Sequence, residues 1–149
     1  MTINTINKSR VALLEHYWIN YQDLKKQREY RKYELLYVEE DNNVGGGKSN
    51  IPGRPTESQV IKLMNDARYS NLDSMITAIE HIYNTCDEYE KFIIENRYWN
   101  NNIELYEWED IAHALTKLRS GDNIISRYAV LRKRNQILDK FADMIGWID

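Results

Sequence analysis

The residues best equipped for chemistry in this chain lie near its end. Ser126, Arg127, Arg132, Lys133, Arg134, Asn135 and Gln136 crowd into one expected helix, with Asn123 at its start and Lys117 and Arg119 just ahead of it. Arg, Lys, Asn, Gln and Ser are the side chains that read base edges, while further cations hold phosphates. On a helix, positions 123, 126–127, 130 and 133–134 return to one side. Asn123, Ser126, Arg127, Val130, Lys133 and Arg134 therefore make the expected groove-facing surface, and Arg132, nearer the apolar stripe, is placed to reach a phosphate.

Charge points to the same stretch. The chain of 149 residues has a net charge of −3, but the charge is unevenly spread. From Thr85 to Leu115 eight acids face two bases, and from Thr116 to Lys140 seven bases face two acids. A polyanion responds to such a local field more than to the overall charge.

The elements that must carry these residues can be read around them. A short helix starts at about Trp108, with Ile111, Ala112 and Leu115 turned inward. Ser120-Gly121 signals a turn, and Asp122 is the expected cap of the last helix. Ile124, Tyr128, Leu131, Leu138, Phe141 and Ile145 are its expected buried stripe, and Gly146 stops it. A short helix, a turn and a helix with basic residues near its start form a helix-turn-helix pattern. Trp99 and Trp108 read as scaffold, since Trp108 stands among acids rather than beside cations.

The rest of the chain reads as helix with one interruption. Ser9 opens a stripe of Val11, Leu14, Trp18 and Tyr21, and Tyr30, Tyr33 and Tyr37 form a second stripe. Residues 9–38 are one long helix or a pair broken near Tyr21–Lys25. Both prolines and three consecutive glycines fall within Asp41–Pro55, where no helix can continue. Thr56 and Gln59 match a capping box. Val60, Ile61, Leu63 and Met64 supply the apolar side of that helix. A core helix follows from about Asn71, with Leu72, Met75, Ile76, Ile79, Ile82 and Tyr83 on one face, and Asp87 caps the next. The expected fold is all-α: a helical arm over residues 1–40, a linker over 41–55, and a helical domain with a C-terminal helix-turn-helix over 56–149.

Other chemistries find little support. Gly45-Gly46-Gly47-Lys48-Ser49-Asn50 resembles the end of a phosphate-binding loop, but the motif needs a glycine where Asn42 stands. It also needs a preceding strand, so a flexible or partner-contacting loop is the reading. His16, His81 and His113 are singletons on different helices, and the single Cys86 excludes an intrachain disulfide and a Cys-rich zinc site. Neither a catalytic group nor a cofactor or metal is expected. With no apolar run of membrane-spanning length and no leader-like start, a cytoplasmic protein without a membrane partner is expected.

Several pieces, in order, carry a resemblance to a known family. Gly45-Gly46-Gly47-Lys48-Ser49-Asn50 and the nearby prolines come first, then Arg97-Tyr98-Trp99, Trp108-Glu109-Asp110-Ile111-Ala112 and Ile145-Gly146-Trp147. Together they resemble the RinA-type phage transcriptional activators, from about Leu24 to Trp147. The Arg-Tyr-Trp and Trp-Glu-Asp-Ile-Ala pieces are shared with sigma-factor region-four-like helix-turn-helix proteins. The resemblance implies sequence-specific binding of double-stranded DNA upstream of late phage genes in the host cytoplasm, without enzymatic activity. Host RNA polymerase and a second copy of the chain are the further partners considered. The stretch from Thr116 to Ile125 is longer than the family's turn. Two other readings fit the helical pattern: a packaging component of the small terminase type, and a protein-interaction module that does not read DNA.

Overall fold

A computed structural model describes residues 8–37, 56–100, 105–119 and 123–147. Among them the fold is all-α, in seven α-helices and one π-helical turn. These are α1 (Lys8–Ile19), α2 (Tyr21–Leu36), α3 (Glu57–Asn65), α4 (Ala67–Thr85), α5 (Glu88–Ile94), the π-helical turn Glu95–Trp99, α6 (Trp108–Leu118) and α7 (Arg127–Met144). The N-terminal helical stretch is thus a pair. The break falls at Asn20, whose side chain turns back to donate to the His16 carbonyl at 2.8 Å.

Local chemistry sets most of the boundaries. Thr56 and Gln59 form the expected capping box, and Asp87 and Glu90 form another, each pair satisfying backbone N–H groups that a helix start leaves open. Helix α4 begins at Ala67 rather than near Asn71, because the Asp66 carboxylate accepts from the Tyr69 N–H at 2.8 Å and starts the helix earlier. The last helix begins at Arg127. Its N-cap is Ser126, whose hydroxyl accepts from the Ala129 N–H at 3.1 Å, in place of the expected cap Asp122, which lies outside the described residues. Gly146 ends that helix at a φ of 74°, where the Trp147 N–H closes back on the Ala142 carbonyl at 2.9 Å.

The chain forms two compact units. The larger gathers the described residues up to Tyr21 with those from Met75 onward. Helix α1 therefore belongs with the C-terminal helices rather than standing as an arm, and the units do not divide at the Asp41–Pro55 linker. In the larger unit α7 packs on α6, α1 and α5. Leu14, Trp18, Ile76, Ile79, Ile93, Ile94, Ile111, Val130, Leu138 and Phe141 are fully buried. Trp18 lies edge-on to Phe141 at 5.7 Å and stacks with Trp99 at 6.3 Å. Truncating an aromatic residue in such a place costs roughly 3–5 kcal/mol, a large part of a domain's ~5–15 kcal/mol.

The smaller unit covers the described residues between Gln22 and Ser74. Tyr30, Tyr33 and Tyr37 on and after α2 are exposed, as are Val60, Ile61 and Met64 on α3. Of the expected apolar side of α3 only Leu63 is buried, together with Leu24 of α2 and Leu72 of α4. Ion pairs fix its corner: Arg31 grips both oxygens of Asp66 at 2.7 and 3.0 Å, and Arg28 reaches Asp73 at 2.8 Å.

Asp66 yields the first prediction. The Arg31 guanidinium, the Tyr69 N–H and the nearby charge of Arg31 and Arg68 hold its carboxyl down to about 2. A carboxylate depressed on folding contributes stability that is complete above its unfolded value of ~3.9 and disappears as pH falls through the folded value. The Asp66 side chain should titrate by carboxyl NMR with a midpoint near 2. Asp66→Asn should flatten the loss of helicity between about pH 4 and pH 2. A midpoint near 4 would mean that the Arg31 pair does not form in solution.

Candidate nucleic-acid interface

The basic residues near the C-terminus do two different jobs, and the split follows from the face of α7 that is buried. Val130, Ile137, Leu138, Phe141 and Ala142 are its buried side. Arg134 falls on that side, four residues from both Val130 and Leu138. Its side chain is only 17% exposed; the guanidinium lies 5.3 Å from the Trp108 ring and 3.9 Å from Glu15 Oε2. Arg97 also sits over the Trp108 ring, at 4.9 Å, and lies 4.4 Å from that of Tyr106. Its buried Nε has no acceptor among the described residues, so the ring faces carry much of its charge. Glu15 also accepts from the Tyr98 hydroxyl at 2.6 Å, and burial, with Glu15 adding, pushes that phenol well above its ordinary range.

This geometry corrects the expected groove-facing surface. Val130 is fully buried, Arg134 is part of the scaffold, and Lys133 is half-buried. Conversely, Ile124 and Tyr128, expected in the core, are 81% and 70% exposed, and Leu131 is half-buried. The expected stripe holds at Leu138 and Phe141, both fully buried, and fails at its start, where it passes over Val130 and over Arg134, whose stem packs like an apolar side chain.

Of the remaining sequence-derived candidates, Lys117, Arg119, Asn123, Ser126, Arg127 and Arg132 are all exposed. One hydroxyl brings the two helix ends together. Thr116 Oγ1 accepts from the Ile125 N–H at 2.9 Å and donates to the Ala112 carbonyl at 2.9 Å. Ile125 in turn packs against the buried cluster of Ile93, Ile111, Ala112, Leu115 and Val130. The end of α6, with Lys117 and Arg119, is thereby held beside the start of α7, with Arg127. Arg132 projects above the exposed Tyr128 ring at 5.1 Å. The positive end of the α7 dipole adds to the field of these cations.

The chain is a member of the DUF722 family. The family model, described as a protein of unknown function, matches residues 9–143, nearly the whole span from α1 to the end of α7. No curated protein and no solved structure gives a significant match. In this DUF722 chain the described residues hold no group of three His, Cys, Asp or Glu that could bind a metal, and no described helix is long and apolar enough to cross a membrane. Burial, with Glu90 adding, pushes the Cys86 thiol up to about 11, so it carries almost no thiolate at neutral pH. The Gly45–Asn50 loop lies outside the described residues, as does the Ser120-Gly121 turn signal.

The two classes of residue should separate by stability. Thr116→Val leaves the half-buried Ile125 N–H without its acceptor and should cost about 1–2 kcal/mol in urea unfolding. Arg134→Ala removes a packed stem and a cation over Trp108 and should cost about 1 kcal/mol or more. Arg127→Ala and Lys117→Ala, on the surface, should stay within ~0.5 kcal/mol of wild type. Equal losses for buried and exposed variants would contradict this division.

Proposed function

We propose that this protein is a phage transcriptional regulator that binds double-stranded DNA with the corner formed by α6 and α7. One observation carries the reading: Lys117, Arg119, Arg127 and Arg132 are exposed around the start of α7, in a chain that is acidic overall. Lys117, Arg127 and Arg132 take no part in the buried core. A polyanion that such cations neutralise releases its own counterions. Asn123, two residues before the Thr116-bound Ile125, and Asn135 and Gln136, exposed further along α7, add groups able to read base edges.

The pieces that resemble RinA-type activators support the finer reading of late-gene activation in a host cytoplasm. Two of them are the structural centre of the corner: Arg97-Tyr98-Trp99 and Trp108-Glu109-Asp110-Ile111-Ala112 supply the Arg97–Trp108 contact and the inward face of α6. In this reading the acidic stretch through α5 and the start of α6 faces away from DNA and is available to host polymerase. The role is one of binding, with no catalytic step.

The test is duplex binding as a function of salt. Affinity should fall steeply between low and physiological salt, with a log–log slope of about −0.9 for each phosphate held. Arg127→Ala, Arg132→Ala and Lys117→Ala should each weaken binding and reduce the slope by about 1, with helicity by circular dichroism unchanged. Binding equal to wild type in all three variants would exclude this corner as the contact surface.

A further inference from the structure

The cationic corner contains apolar groups that phosphate binding does not explain. Ile124 is 81% exposed, Tyr128 70% and Leu118 61%, the three most exposed large hydrophobic residues among the described residues of the larger unit. All three lie at the corner where Lys117, Arg119, Arg127 and Arg132 gather. Their exposure follows from how the connection is built. Ser126 is extended, and exposure alternates along Ile124, Ile125 and Ser126, as it does in an extended strand. Thr116 anchors Ile125 inward, which turns its neighbours Ile124 and Ser126 outward. Tyr128 lies four residues beyond Ile124 and has the Arg132 guanidinium over its ring at 5.1 Å, which limits its rotamers. The inward turn of Ile125 thus leaves Ile124 facing outward beside Tyr128.

Exposed apolar groups inside a basic rim fit a ligand that is anionic at its edge and apolar at specific points within. Duplex DNA has that chemistry in the major groove, where the only apolar mark on a base edge is the C5 methyl group of thymine. Resting on the DNA-binding reading above, we propose that Ile124 and Tyr128 discriminate sequence by touching thymine methyl groups while the surrounding cations hold the phosphates. The same surface could instead wedge apolar side chains between base steps from the minor groove, or meet an acidic protein. The major-groove assignment is favoured because Ile124 and Tyr128 sit at the beginning of a long helix whose exposed turns carry Arg127, Arg132, Asn135 and Gln136, groups suited to base edges and phosphates.

The experiment compares duplexes that differ by the methyl group alone. Binding of the full chain to alternating poly(dA-dT) is measured by fluorescence competition against poly(dA-dU), and binding to poly(dG-dC) against its 5-methylcytosine form. The wild type should prefer the methylated member of each pair, by about fourfold for each methyl group buried. In Ile124→Ser and in the double variant with Tyr128→Ser, both preferences should fall towards one while the salt slope stays that of the wild type. Equal affinity of the wild type for both members, with the salt slope intact, would overturn the methyl contact and leave DNA binding standing. A preference that persists in the double variant would also overturn it, placing the methyl contact on other residues. Absence of salt-dependent binding to any of the four duplexes would overturn the DNA-binding reading itself.

Discussion

The larger unit depends on one widened turn. At Glu95–Trp99 the helix takes in an extra residue, and the Asn100 N–H closes on the Glu95 carbonyl at 2.6 Å. Such a turn shifts the phase of the side chains that follow it. Three consecutive residues then find three different partners. Arg97 lies on Trp108 of α6, Tyr98 donates to Glu15 of α1, and the Trp99 indole N–H donates to the Trp18 carbonyl at 2.9 Å. Glu15 and Trp108 are also partners of Arg134 on α7. Helices α1, α6 and α7 are therefore all tied to this turn, directly or through one intermediate. The direction in which α7 presents its exposed side follows from that arrangement.

Arginine serves both sides of the division because its guanidinium is weakly hydrated and planar. It can lie on an aromatic face at modest desolvation cost, which a lysine ammonium does less well. Arg97 and Arg134 use that property around Trp108, where they order α6 against α7. Arg127 and Arg132 keep their charge at the surface, where it remains available to a polyanion. Sequence proximity hides this difference, since Arg132 and Arg134 are two positions apart and point to opposite environments.

Much of the fold was legible from the chain. The capping boxes at Thr56 and Asp87 are local, so their residue types are enough to place them. The inward face of α6 and the stop at Gly146 were legible for the same reason. Less legible was anything decided by long-range packing. The tyrosine stripe of α2 has helical spacing yet faces water, because periodicity reveals a face without revealing what covers it. Leu138 and Phe141 were placed correctly in the core; the start of the α7 stripe was misread because a half-buried arginine occupies a core position between Val130 and Leu138. The widened turn leaves no composition signal at all. For the site, the residue types and their neighbourhood were legible, whereas Val130, Lys133 and Arg134 had to be withdrawn from the exposed surface and Ile124 and Tyr128 added to it.

Amide chemical-shift mapping of the labelled protein, titrated with a duplex at low salt, tests residue by residue the proposal that the corner of α6 and α7 meets DNA. Shifts should concentrate at residues 117–119, 123–128 and 132, with α3 and the Arg31–Asp66 corner unmoved. Shifts concentrated on α3 or on the tyrosine face of α2, with the α6–α7 corner unchanged, would contradict it.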